Sequence, residues 1–339
     1  MIRILVVAAA VVAALAPLPA ALVERAFSRG VYPVLQRALT PAAAGLPVAV
    51  FDVVLLGAVL LTLVLLLRRR RMLNLLALGA GLWLAFLLTW GLHYRRQPLA
   101  SRLDYDEARV RGARVAEIAR TSVRELNRLH RTAHARPWPD GAAVPAALAP
   151  GFDRTARDLG FPPPVVAPPK RSLLDPYFRR AAIDGLTTPF VPEIVLASNL
   201  LPFERPVVFA HEWAHLAGFA DEGEAEFLAW LVCVRGDAQM QYSGWLQLYP
   251  HLALALEEAE RHRLARALGP GPSGDLARVA ERMRAASAAV RSAASAAYDR
   301  FLKVNRVDEG IHSYGAVVKL VAGTRFGPDF TPVRRDAGR

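Results

Sequence analysis

Ala210-His211-Glu212-Trp213-Ala214-His215-Leu216-Ala217-Gly218-Phe219-Ala220-Asp221-Glu222-Gly223-Glu224-Ala225-Glu226-Phe227 is the stretch on which the reading of this chain turns. Side chains four residues apart on a helix stand one above the other, so His211 and His215 can reach one ion together. Glu212, between them, faces the open side of that ion. Pro206 suits a first helical turn, Val207 to Ala210 supply an apolar stripe, and Gly218 sits where a helix ends. The pattern predicts a helix, a glycine turn and a second helix.

His-Glu-x-x-His on a helix is the zinc-binding element of metallopeptidases, with the glutamate as general base. Catalytic zinc takes three protein ligands and a water, so a third ligand is expected soon after His215. Asp221, Glu222, Glu224 and Glu226 all follow Gly218. Asp221 reads as an N-cap and Glu224 as its capping-box partner, which starts the second helix at about Glu222. Glu222, in that first turn, is taken as the third ligand. Glu226, one turn later on the same face, is the carboxylate expected to hold a ligand histidine in its tautomer. Asp221 competes for the ligand role, because His-Glu-x-x-His-x-x-Gly-x-x-Asp also occurs in metallopeptidases that turn at the glycine. Glu224 is a further alternative, although capping is its ordinary use.

Upstream of this stretch the composition is not that of a plain soluble protein. Hydrophobic residues make up 53% of 339, and three apolar runs fall within the first 92 positions, about 2–22, 47–67 and 72–92. Each has the length of a bilayer span, which predicts a three-helix membrane anchor over 1–92 and a separate domain over 93–339. Arg68-Arg69-Arg70-Arg71 between the second and third runs belongs on the cytoplasmic side. The third helix then exits outward, which predicts a multi-pass protein of the cytoplasmic (inner) membrane with its large domain on the extracytoplasmic side. The first run has small-residue sites of the kind cleaved in signal peptides, but its length favours a retained helix.

The formal charge of +12 does not argue for nucleic acid. The first 92 residues carry eight arginines against Glu24 and Asp52, so half of the excess belongs to the anchor. No basic stripe interleaved with aromatics is present. Cys233, the single cysteine, lies in the apolar run Phe227 to Val234 and reads as core; it allows neither an internal disulfide nor a thiolate-rich zinc site.

Trp90 to Leu99 reads as an aromatic and basic girdle at the lipid interface, with His93 structural. Asp104 to His130 predicts a helix with Val115, Ile118, Ser122, Leu126 and Leu129 on one face. Irregular connections are expected over 132–151 and 161–169, around a short helix near Phe152 to Leu159. Glu193 to Ser198 reads as an edge strand able to pair with extended substrate. Helices are expected near His251 to Leu268, Asp275 to Val304 and Tyr314 to Val321, with 269–274 as a turn-rich loop. Tyr314 is the candidate donor to a developing oxyanion.

These residues together resemble a family. Three N-terminal apolar helices, Trp90-Gly91 before Tyr94-Arg95, Pro189-Phe190 before Glu193, Leu201-Pro202-Phe203 before His211, Glu222-x-Glu224-Ala225-x-Phe227 and Ser313-Tyr314-Gly315 are similar to the bacterial membrane family known as domain of unknown function 3810, which is zinc-peptidase-like. The segment from Glu222 to Glu226 also resembles the Glu-x-x-x-Asp pattern of membrane-bound gluzincins, whose first glutamate binds zinc; here Glu226 stands in place of the aspartate. The resemblance implies a mainly α, zincin-like domain with a small β element, one Zn2+ and a peptide or protein substrate. The expectation is a membrane-anchored zinc metallopeptidase, presumed an endopeptidase, in which Glu212 moves the proton. Its rival is a non-catalytic membrane-tethered zinc scaffold or sensor, which has no use for a base beside an open coordination position.

Overall fold

Proline decides where the N-terminal apolar runs break. The computed structural model describes residues 1–305, 307 and 315–335. Helix α1, Ile2–Leu15, stops before Pro17 and Pro19, whose rings cannot continue a helical ladder. The chain resumes in α2, Ala20–Leu22, passes through a π-helical stretch, Val23–Val31, and continues as α3, Tyr32–Ala44. The two arms meet at 109°, so the run expected as one span over 2–22 is part of a bent pair. Helices α4, Val50–Leu66, and α5, Arg71–Thr89, follow, joined by the exposed arginine turn. Helix α5 is long and apolar enough to cross a membrane, and the bent pair is a second such element if counted as one span. Most of the large exposed hydrophobic side chains belong to these N-terminal helices. A membrane can cover such a surface; water does not.

The remainder is mainly helical. In order come α6, Gly112–Ala133, α7, Ala143–Leu159, and α8, Asp175–Ala181. Strands β1, Gly185–Thr187, and β2, Ile194–Leu196, form a two-stranded antiparallel sheet. Helices α9, Arg205–Leu216, α10, Glu222–Val234, and α11, Ala238–Leu254, build the centre. Then follow α12, Glu258–Ala267, α13, Pro270–Arg284, α14, Ala288–Val304, and α15, Ala316–Gly323.

Every residue of α10 is buried, Cys233 included, as a helix must be when neighbours surround it. Helices α9 and α11 pack on it directly, and α7 packs on both α10 and α9, with Phe152 stacked on Trp213 of α9 at a ring-centroid distance of 4.2 Å. Helix α6 lies on α11 through the predicted face: Val115, Ile118, Ser122, Leu126 and Leu129 are all buried.

Several local expectations are corrected. The segment 269–274 is not a loop: Pro270 occupies the first turn of α13, where a missing N–H costs nothing. Helix α7 begins at Ala143, nine residues before the short helix expected there. Two long helices are each two, because the chain turns at Ala255–Glu257 and again at Ala285–Ser287, where Ser287 caps α14 by accepting from Val290 N–H. The girdle after α5 does not face lipid. Trp90, His93 and Arg96 are buried, and Arg96 is ion-paired with Glu24 at 2.9 Å. This segment is the joint between the N-terminal helices and α9.

Strand β2 is not the edge. It pairs with β1 on one side, in the register Gly185 to Leu196, Leu186 to Val195 and Thr187 to Ile194, and with Lys170 on the other. Glu193 is inward as well; it accepts from Phe51 N–H at the start of α4 and lies 3.2 Å from the Lys170 ammonium. The outer edge of the sheet belongs to β1.

Candidate metal centre

The turn between α9 and α10 is made by hydrogen bonds that the sequence requires. Gly218 N–H donates to His215 O at 2.8 Å and Phe219 N–H donates to Ala214 O at 3.1 Å, the pair of bonds that closes a Schellman turn. Gly218 has φ +86°, and a Cβ on it would lie 2.5 Å from the His93 ring, so only glycine fits. The turn aims Phe219 O at His215, whose Nδ1 lies 2.7 Å away. That bond fixes Nδ1 as the protonated nitrogen and leaves the Nε2 lone pair facing inward.

Asp221 then caps α10, accepting from Glu224 N–H at 2.9 Å. Only half of the expected capping box forms, because the Glu224 carboxylate turns away to accept from Leu99 N–H. Glu222, at the first position of α10, points back at the two histidines. His211 Nε2 lies 3.0 Å from His215 Nε2 and 3.2 Å from Glu222 Oε2, and His215 Nε2 lies 3.5 Å from the same oxygen. Ligands on a tetrahedral zinc with bonds of about 2.0–2.1 Å are about 3.3 Å apart, so this triangle fits such an ion. Among the described residues Glu222 Oε2 is buried and has only the two imidazole nitrogens beside it, which also fits an atom meant for a cation. Asp221 and Glu224, the alternative ligands, are engaged in the cap and on Leu99.

The electrostatics favour positive charge at this point. Burial opposes a charge on His211, but Glu222, Glu226 and Glu212 outweigh it and push its pKa up to about 10. Burial likewise opposes ionisation of Glu222, yet the two imidazoles hold its carboxyl well below the usual range. A field that attracts protons to two imidazoles attracts a divalent cation for the same reason. Glu226 is on the Nδ1 side of His211, with Oε1 3.9 Å away, beyond hydrogen-bonding range; Gln247 Nε2 lies 3.5 Å from that oxygen.

Glu212 is buried on the strand side. Thr187 Oγ lies 2.9 Å from Glu212 Oε2 and 2.7 Å from Glu212 O. A Cβ at Gly185 would come within 2.6 Å of Glu212 Oε1. Burial raises the Glu212 pKa, against the lowering effect of His211 and His215. His211, Glu212, His215, Glu222 and Glu226 all line one cavity of about 820 Å3.

Sequence reasoning missed three sets of contacts that support this site. Thr187 carries no motif, and its partner lies 25 residues on. Tyr298, in the alanine-rich α14, hydrogen-bonds the Glu222 carboxylate; its helix reads as ordinary packing. Trp90 donates from Nε1 to His215 O at 3.4 Å, and Tyr32 donates to Leu216 O at 2.9 Å, so aromatics from the N-terminal helices satisfy the last carbonyls of α9. The only signal for these was a cluster of large aromatics next to an apolar run. Tyr314 lies outside the described residues.

No curated protein and no solved structure matches the chain. A family model described as protein of unknown function (DUF3810) matches residues 27–322, from within the π-helical stretch to the last residue but one of α15. The chain belongs to this family, DUF3810.

Proposed function

We propose that the protein is a membrane-anchored zinc-dependent peptidase that hydrolyses peptide bonds next to the membrane. The observation that carries this reading is the triangle of His211, His215 and Glu222 with the buried carboxylate of Glu212 lining the same cavity. Those three residues would hold the metal. Bound zinc supplies Lewis acidity, which acidifies a water and polarises a carbonyl.

The chain's own residues do the rest. Glu212 takes the proton of the attacking water and passes it to the leaving nitrogen. Thr187 holds one oxygen of that carboxylate, and the other lies against Gly185, which lines the same cavity. Thr188 N–H donates to Glu193 O and Ala197 N–H to Asp184 O, and strand alternation turns the backbone groups of Gly185 and Thr187 away from β2. Among the described residues those groups have no hydrogen bond, and both residues line the cavity. An extended peptide added along β1 would pair with them, next to Glu212.

Phe86 and Trp90, from the end of α5, line the same cavity. A cleavage site within about one turn of a membrane helix suits juxtamembrane peptide segments. The arginines at 68–71 are exposed, and the preference of such residues for the cytoplasmic side supports a multi-pass inner-membrane protein with its cavity on the extracytoplasmic face.

The test is hydrolysis of a peptide library by the detergent-solubilised protein. Wild type is expected to cleave, and Glu212→Gln to bind zinc as wild type does while losing at least about a hundredfold in kcat. Full activity in Glu212→Gln would overturn the reading, and zinc binding without any cleavage by wild type would favour a scaffold or sensor.

A further inference from the structure

A second triangle of the same kind lies on the far side of α11. His130, in the last turn of α6, and His134, the residue that caps its C-terminal end, have ring centroids 4.5 Å from each other, and both point Nε2 at Asp275 of α13. The distances to Asp275 Oδ2 are 3.5 Å from His130 and 2.9 Å from His134. One ligand atom from each of the three lies within 4.8 Å of the other two. The composition repeats that of the first centre: two histidines one helical turn apart and a buried carboxylate from another helix.

We propose that His130, His134 and Asp275 form a second transition-metal site, taking Zn2+ with three protein ligands and a water. The separations of 2.9 and 3.5 Å bracket the roughly 3.3 Å between ligands on a tetrahedral ion. Both imidazoles are about a quarter exposed, at 29% and 27%, so a water reaches the fourth position. Asp275 is buried and its Oδ2 is oriented by Tyr242, whose hydroxyl donates to it at 2.6 Å. That is the supporting contact expected behind a ligating carboxylate. Arg278 lies 3.6 Å from the other oxygen, Oδ1, and leaves Oδ2 to the ion. Gly271 makes the approach possible: a Cβ there would sit 2.4 Å from the His130 ring.

The site has a structural consequence. Helix α13 buries only Pro272 and Asp275, a thin attachment for fifteen residues. Yet α13 carries Arg282, which donates to Asp184 at the head of β1 at 2.7 Å and to Glu204 ahead of α9 at 2.6 Å. A metal joining α6 to α13 staples the helix that holds both the strand and the catalytic helix in place.

The test does not depend on peptide hydrolysis. Full-length protein carrying His211→Ala and His215→Ala, which removes the first centre, is stripped with chelator, re-equilibrated with Zn2+ and assayed by elemental analysis and thermal melting. About one zinc per chain and a Zn2+-dependent rise in Tm are expected. Adding His130→Ala and His134→Ala, both partly exposed, should abolish the zinc and the rise in Tm while helicity by circular dichroism is unchanged. Absence of zinc in the first variant, or zinc that persists in the second, overturns the proposal. A variant with only His130→Ala and His134→Ala keeps the first centre, so a failure there is a failure of the first reading and is seen separately.

Discussion

Thr187 shows how a single side chain sets the chemistry of its neighbour. Its hydroxyl stabilises the ionised form of Glu212, which burial destabilises. Removing the hydroxyl in Thr187→Val takes away one hydrogen bond, about 1.4 kcal/mol, so kcat/KM is expected to fall about tenfold. The sign of the pH effect follows. Without that bond the Glu212 carboxyl holds its proton more tightly, so the acid limb of the kcat/KM profile moves to higher pH. A uniform loss of activity with an unmoved acid limb would show that Thr187 acts through packing alone.

At the scale of elements, the α9–α10 pair was legible because its signals are local. Two histidines, a glycine and a capping aspartate fix a helix, a Schellman turn and a new helix within twelve residues. Gly218→Ala tests that turn. With φ at +86° and His93 in the space of the new methyl, the variant is expected to lose about 1–3 kcal/mol of stability and to bind zinc more weakly, seen in Tm and in zinc titration. Unchanged zinc affinity would mean that Phe219 O does not orient His215. The strands were not legible in the same way. β-branched residues marked Ile194 to Leu196 as strand, but which strand takes the edge is decided by Lys170, whose pairing no local pattern announces. The start of α13 was hidden for a different reason: Gly-Pro-Gly-Pro reads as turn, although Pro270 also suits the first turn of a helix, and the His130 ring that lies against Gly271 comes from a distant part of the sequence. Tyr298 was invisible because its partner lies 76 residues away.

Across the whole molecule, the N-terminal helices and the turn between α9 and α10 share one polar joint. Arg96 links Glu24, at 2.9 Å and 3.0 Å, to Gly218 O, at 2.6 Å, and stacks its guanidinium 4.2 Å from the Phe219 ring. Arg102 pairs with the same carboxylate, and Arg29 lies 3.6 Å away. Glu24→Gln removes the charge that these arginines share, with Arg96 and Glu24 both buried, and should cost about 3 kcal/mol of stability. Melting of the two proteins side by side measures it; an unchanged Tm would contradict the joint.

The most direct test of the central claim is anomalous diffraction at the zinc edge from crystals of the full-length protein grown with Zn2+. The account predicts a peak at about 2.1 Å from His211 Nε2, His215 Nε2 and a Glu222 carboxylate oxygen. A peak bonded to Asp221 or Glu224 instead would contradict the ligand assignment, and no peak between α9 and α10 would contradict the metal centre itself.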